Sequence, residues 1–101
     1  MRASVYTHTN TLTGEVFYVG SIGVHPRELR PSMRGALWGR YFYEVLGGDT
    51  SAIEVNITPM PDVGEALAAE WALICQHLPV ANPATALVKE WEHLGELVDK
   101  R

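Results

Sequence analysis

Cysteine is nearly absent from this sequence: the single Cys75 cannot form a disulfide within the chain, and there is no cysteine-rich metal cluster. Long apolar runs and a signal-peptide pattern are also missing, which predicts a cytoplasmic protein with no membrane contact. The absence of a glycine-rich phosphate loop argues against nucleotide binding. The 101 residues are enough for one domain with a modest core, and we expect residues 1–101 to form it.

Positive charge is scarce and unevenly distributed. The chain has 8 lysines and arginines against 12 aspartates and glutamates, and its net charge of −4 is not typical of a nucleic-acid-binding protein. Four basic residues nevertheless fall between positions 27 and 40, namely Arg27, Arg30, Arg34 and Arg40. Such a cluster is either a local phosphate-binding patch or a solvated helix face with scattered charges.

Three segments have the composition of β-strands, at 3–8, 15–20 and 52–58. The first two are separated by polar residues that end at Gly14, which predicts a hairpin with a loop of several residues. In the third, Ile53, Val55 and Ile57 alternate and share one face. These patterns favour a small antiparallel sheet.

Helices are predicted between and after the strands. The first is expected over 32–46, with Ser32 as its N-cap. Asp62, followed three residues later by Glu65, is typical of a capping box, and the helix that it begins should end at Pro79.

A last helix is predicted at about 85–98, where apolar residues recur at helical spacing. The expected order is therefore β-β-α-β-α-α. The fold class that this order predicts is α+β, with a three-stranded antiparallel sheet flanked by helices.

Two short aromatic motifs lie on the predicted hairpin. Ser4-Val5-Tyr6 stands on the first strand and Tyr18-Val19-Gly20 on the second, so two phenol hydroxyls should come close together. His8 should face the same side as Tyr6, because side chains alternate along a strand. A phenol acts as a base only when positive charge lowers its pKa. In the alternative reading the tyrosines stabilise the strands and His8 is simply hydrogen-bonded.

Glu70 is the candidate metal ligand. It is the only carboxylate in the middle of an otherwise apolar helical segment. Magnesium or manganese suits a single carboxylate, because both ions keep several waters and also bind phosphate oxygens. The alternative is an ordinary glutamate on the exposed edge of an amphipathic helix.

These motifs resemble the GIY-YIG nuclease family. The two tyrosine motifs have a family-like spacing, and a glutamate, an aliphatic residue, a proline and an asparagine follow in the family's order as Glu70, Ile74, Pro79 and Asn82. Ser4 stands where the family usually has glycine, and the lysines common after the second motif are absent. The resemblance covers the chain up to Asn82.

The resemblance implies a metal-dependent endonuclease that hydrolyses DNA phosphodiester bonds. Tyr6 would be the general base or would position water, Tyr18 would orient water or phosphate, and Glu70 would hold Mg²⁺ or Mn²⁺. For the catalytic arginine the choice stays open, since Arg27 fits the expected loop distance and Arg34 with Trp38 resembles a pairing in a related subgroup.

Further roles follow from the same resemblance. His8 would share proton transfer or contact phosphate, and the substrate would be bound by Gly20, Arg30, Arg40 and Asn82. DNA is the expected partner and RNA the alternative, with specificity supplied by a homodimer or a partner protein. The second hypothesis is a catalytically weak or inactive GIY-YIG-like module that binds nucleic acid or protein.

Overall fold

The computed structural model describes residues 3–22, 35–86 and 88–89. The expected N-cap Ser32 and the arginines Arg27, Arg30 and Arg34 lie outside the described residues, as does most of the helix predicted at 85–98. No helix in the described ranges is long and apolar enough to cross a membrane.

Three strands form one antiparallel sheet, as predicted. They are β1 (Ala3–Asn10), β2 (Val16–Ile22) and β3 (Ile53–Met60), in the spatial order β2-β1-β3. The hairpin strands β1 and β2 both extend two residues beyond their predicted ends. At β1 the reason is the compact turn, in which the Asn10 N–H donates to the Glu15 carbonyl and the Gly14 N–H donates to the Asn10 carbonyl. Gly14 closes this turn with a φ of 75°, a conformation that favours glycine.

Within the described residues, two α-helices of ten residues or more accompany the sheet. Helix α1 (Gly35–Glu44) ends two residues before its predicted end, and helix α2 (Val63–His77) lies after β3. The predicted N-cap of α2 is confirmed, because the Asp62 carboxylate accepts from the Glu65 N–H at 2.8 Å. Residues 83–86 and 88–89 are again helical, so the last helix begins two residues earlier than predicted.

The two faces of the sheet carry separate apolar clusters. One face packs against α1 through Phe17, Tyr41, Phe42, Leu46, Ala52 and Ala81. The other packs against α2 and the last helix through Val5, Val19, Ile74 and Val88. The sheet is therefore covered on both sides, as the prediction of flanking helices requires.

An irregularity in β2 brings both Phe17 and Tyr18 to the apolar cluster that packs against α1, which we call the α1 cluster. His8 pairs with Tyr18, but Thr9 pairs with Val16, so Phe17 is an extra residue opposite β1. Consecutive residues normally face opposite sides of a strand, whereas here both contribute to the α1 cluster. The bulge thus directs Phe17 into the α1 cluster beside Tyr41, with the two rings stacked 4.3 Å apart.

The two outer strands of the sheet differ in their surroundings. Along β2, the Phe17 carbonyl accepts from the Ala81 N–H at 2.9 Å, so the segment after α2 continues the hydrogen bonding of the sheet. On β3, Val55 and Ile57 do share a face, but they are 51% and 59% exposed. In the register they lie opposite His8 and Tyr6.

Candidate active site

Tyr6 and Tyr18 lie side by side on the sheet. Their ring centroids are 6.2 Å apart, so the predicted hairpin does bring the two phenols together. His8 is directly opposite Tyr18 in the register and two residues from Tyr6 along β1, with ring centroids 5.3 Å from Tyr6 and 5.5 Å from Tyr18. The three rings form one group on the α1 face, which we call the tyrosine cluster.

Gly20 provides the space that the Tyr6 ring occupies. Tyr6 and Gly20 are directly opposite in the β1–β2 register. A Cβ atom at position 20 would lie 2.5 Å from both Cζ and Oη of Tyr6, far inside van der Waals contact. The sequence predicts Gly20 as a substrate contact. The structure gives it a steric role, because only a residue without a side chain lets the phenol lie across β2.

His8 is held from the side of α1. It is only 3% exposed, and the indole Nε1–H of Trp38 donates to its Nδ1 atom at 2.9 Å. The two residues are 30 positions apart, so sequence reasoning connects Trp38 with an arginine and misses its contact with His8. The only sequence signal is an aromatic residue on the inner side of the first helix.

Glu70 approaches β2 from its other face. Its Oε2 atom accepts from the Ser21 hydroxyl at 2.9 Å. Ser21 pairs with the buried Val5, whereas Gly20 pairs with Tyr6, so alternation places Ser21 and Gly20 on opposite faces. The tyrosine cluster therefore lies over Gly20 on one face of β2, and Glu70 lies against the next residue, Ser21, on the other face. Burial raises the pKa of the Glu70 carboxyl above its ordinary value, and the Ser21 hydrogen bond acts in the opposite direction.

The raised pKa of Glu70 predicts a pH-dependent cost to stability. A carboxyl with a higher pKa in the folded state contributes stability below its unfolded pKa, and that contribution is lost as pH rises through the folded pKa. With an ordinary value of 4.5, the loss occurs on going from about pH 4 toward neutrality. Glu70→Gln should therefore melt at a higher temperature than the wild type at pH 7, with the difference shrinking by pH 4. Calorimetric melting of both proteins across this range measures it.

Ser21→Ala is the matched control for this experiment. It removes the hydrogen bond that lowers the Glu70 pKa, so the loss of stability with rising pH should extend to higher pH than in the wild type. A difference in melting temperature between the wild type and Glu70→Gln that stays the same at every pH would contradict the prediction.

The Asn82 side chain is hydrogen-bonded to the backbone of β2 at Val19, the residue between Tyr18 and Gly20. Its Oδ1 accepts from the Val19 N–H and its Nδ2 donates to the Val19 carbonyl, both at 2.8 Å. Asn82 is 7% exposed and Val19 is fully buried. The Asn82 amide, a predicted substrate contact, thus fixes the backbone between Tyr18 and Gly20 in this structure.

Arg40 is the one member of the predicted basic patch within the described residues. Its Nε atom lies 3.3 Å from the Glu44 carboxylate, and the side chain is 72% exposed. This is an ordinary surface pair one helical turn apart, worth little to stability. The structure brings together Tyr6, Tyr18, His8 and Gly20 on one face of the sheet. It places Glu70 on the other face of β2, Asn82 beside Val19, and Arg40 in a surface pair with Glu44.

The donor chemistry of Glu70 fits the predicted ion. No group of three or more histidines, cysteines, aspartates or glutamates within the described ranges could hold a metal. A site for Mg²⁺ does not need such a group, because this ion commonly takes one or two carboxylates together with waters and substrate phosphates. A partly buried carboxylate with a raised pKa is also a place where a cation would be favourable.

Comparisons with models of protein families, with curated proteins and with solved structures give no match to this chain. Membership of the GIY-YIG family therefore stays a prediction from the motifs.

Proposed function

We propose that this protein is a metal-dependent endonuclease that hydrolyses phosphodiester bonds in DNA. The observation that supports this function best is the tyrosine cluster, in which two phenols lie with ring centroids 6.2 Å apart over a glycine that leaves room for one of them.

In this proposal the phenol of Tyr6 orients a water molecule and accepts its proton, and Tyr18 orients the same water or the phosphate. A phenol with a pKa of about 10 is a poor base at neutral pH unless positive charge stabilises its ionised form. Arg27 or Arg34 is proposed to bring that charge and to neutralise the phosphoryl oxygens. Glu70 would hold the divalent ion, Mg²⁺ or Mn²⁺, and the phosphate would have to reach it past the end of β2, because Glu70 lies on the other face of that strand. The ion would supply charge stabilisation to the phosphate and the leaving alkoxide.

The binding partners of the site are also proposed. DNA is the proposed substrate, with RNA as the alternative nucleic acid. Arg30 and Arg40 are proposed to contact its phosphates, although Arg40 would first have to leave Glu44. A second copy of the chain or a partner protein would supply target specificity, and a cytoplasmic location would agree with the composition.

Cleavage of supercoiled plasmid in the presence of Mg²⁺ or Mn²⁺ tests the proposal. Tyr6→Phe removes only the hydroxyl, and loss of proton-transfer catalysis should lower the rate by about 100-fold or more. Glu70→Gln keeps the shape of the side chain but removes the charge that binds the ion. Tyr43→Phe, at a tyrosine that is 72% exposed on α1, is the matched control and should cleave like the wild type.

The outcomes separate the two functions. Cleavage that survives both Tyr6→Phe and Glu70→Gln would come from a contaminating nuclease. No cleavage by the wild type with either ion would favour the weak or inactive binding module, which the net charge of −4 and the pairing of Arg40 with Glu44 support. Melting gives a readout independent of activity, because Mg²⁺ bound at Glu70 should raise the melting temperature of the wild type and not that of Glu70→Gln.

A further inference from the structure

The hydrogen bond between Trp38 and His8 determines which imidazole nitrogen carries the proton. An indole N–H can only donate, so the Nδ1 atom of His8, 2.9 Å away, must be the acceptor. A nitrogen that accepts in this way carries no proton. The imidazole is then neutral, with its hydrogen on Nε2.

Both partners of this bond are held by their surroundings. His8 is 3% exposed on β1, and the indole packs edge-on against its ring with centroids 6.0 Å apart. On α1, the indole also stacks against Phe42 at 5.1 Å. Because strand and helix each fix one ring, the donor and acceptor are aligned before any substrate arrives.

We propose that Trp38 is a positioning residue that keeps His8 as its neutral Nε2–H tautomer, so that His8 serves the tyrosine cluster as a hydrogen-bond donor. The Nδ1 edge of the ring faces Trp38, which leaves Nε2–H as the donor on the edge away from the indole. At 3% exposure His8 meets the rings of Tyr6 and Tyr18 instead of solvent.

The consequence for the site is a division of roles. A hydrogen bond donated to an ionised phenol favours ionisation, so a neutral donor helps form the base without adding charge. His8 itself does not take the proton from water at Nδ1, because that atom is engaged by Trp38. The positive charge that the tyrosines need must then come from an arginine or the metal ion. This catalytic consequence rests on the proposed nuclease function, whereas the tautomer does not.

Nuclear magnetic resonance of the ¹⁵N-labelled protein tests the tautomer directly. Near pH 7, the Trp38 indole N–H should show a coupling across the hydrogen bond to Nδ1 of His8. The ¹⁵N shifts of His8 should show a protonated Nε2 and an unprotonated Nδ1. His25, His77 and His93 provide comparison signals in the same spectra. A wild-type His8 with a proton on Nδ1, or without the coupling, would overturn the proposal.

Two tryptophan variants complete the experiment. Trp38→Phe keeps an aromatic ring against Phe42 but removes the donor, so the His8 shifts should move. Trp71→Phe, on α2, should keep both the coupling and the His8 shifts of the wild type. If Trp38→Phe does not fold, the wild-type spectrum and Trp71→Phe still decide the question. Unchanged His8 shifts in a folded Trp38→Phe would count against the proposal.

Activity gives a second readout. Loss of one positioning hydrogen bond should lower kcat for plasmid cleavage by about tenfold in Trp38→Phe, with KM unchanged. A rise in KM at constant kcat would contradict the positioning role. If the coupling is present but the wild type cleaves nothing, the nuclease function fails and the tautomer assignment stands.

Discussion

Asn82→Ala is expected to lower the free energy of unfolding by about 2–4 kcal/mol. The substitution leaves a buried N–H and a buried C=O of Val19 without a hydrogen-bond partner, and each such group costs about 1–3 kcal/mol. For a domain of this size such a loss corresponds to a melting temperature lower by about 10–20 °C. Thermal unfolding followed by circular dichroism measures the change. The reason for so large an effect at a single side chain is that Val19 is fully buried, so water does not readily replace the amide.

Asn56→Ala is the matched control, because Asn56 lies on the exposed strand β3. A surface substitution of this kind should change the free energy of unfolding by no more than about 0.5 kcal/mol. Asn82→Asp discriminates further, since a carboxylate keeps an acceptor for the Val19 N–H but offers no donor to the Val19 carbonyl. Equal melting temperatures for Asn82→Ala and Asn56→Ala would show that the two bonds contribute nothing.

Gly20→Ala is expected to abolish most plasmid cleavage while leaving the protein folded. The new methyl group would lie 2.5 Å from Cζ and Oη of Tyr6, so the phenol must leave its place. The displaced atoms are the far end of a side chain and not backbone, and the fold can therefore absorb the change by moving the ring. Misplacing a catalytic group by about 1 Å can cost a factor of about 100 in rate. Cleavage rates and melting curves for the same preparation check both halves of the prediction.

Gly39→Ala is the control for Gly20→Ala. Gly39 lies in the interior of α1, and a Cβ there would meet no atom within 4 Å. Alanine at such a helical position should stabilise the protein by about 0.5–1 kcal/mol and leave cleavage unchanged. If Gly20→Ala cleaves as fast as Gly39→Ala, then the position of the Tyr6 phenol does not matter for catalysis.

The sheet could be predicted from the sequence because local signals determine it. Alternating β-branched and aromatic residues identify the strands, and Gly14 identifies the turn. The capping sequence at Asp62 likewise needs only neighbouring residues, and the structure confirms it. The proximity of Tyr6 and Tyr18 then follows from the hairpin alone.

The remaining features depend on contacts between residues far apart in the chain. The Phe17 bulge changes which face a side chain takes, and no pattern in the sequence marks it. Trp38 is hydrogen-bonded to His8, which is 30 positions away in the sequence, and Asn82 is hydrogen-bonded to Val19, which is 63 positions away. Val55 and Ile57 have the alternation of buried strand residues, yet the structure leaves them 51% and 59% exposed on β3.

The bonds from Ala81 and Asn82 to β2 have a consequence for the smallest part of the chain that could work as a unit. A fragment that ends after α2 would contain every described member of the proposed site except Asn82. Such a fragment would leave Phe17 and Val19 without their partners on the open side of β2, the strand that carries Tyr18, Gly20 and Ser21. Residues 79–82 therefore take the place of a fourth strand beside β2, and a fragment meant to carry the proposed site has to include them.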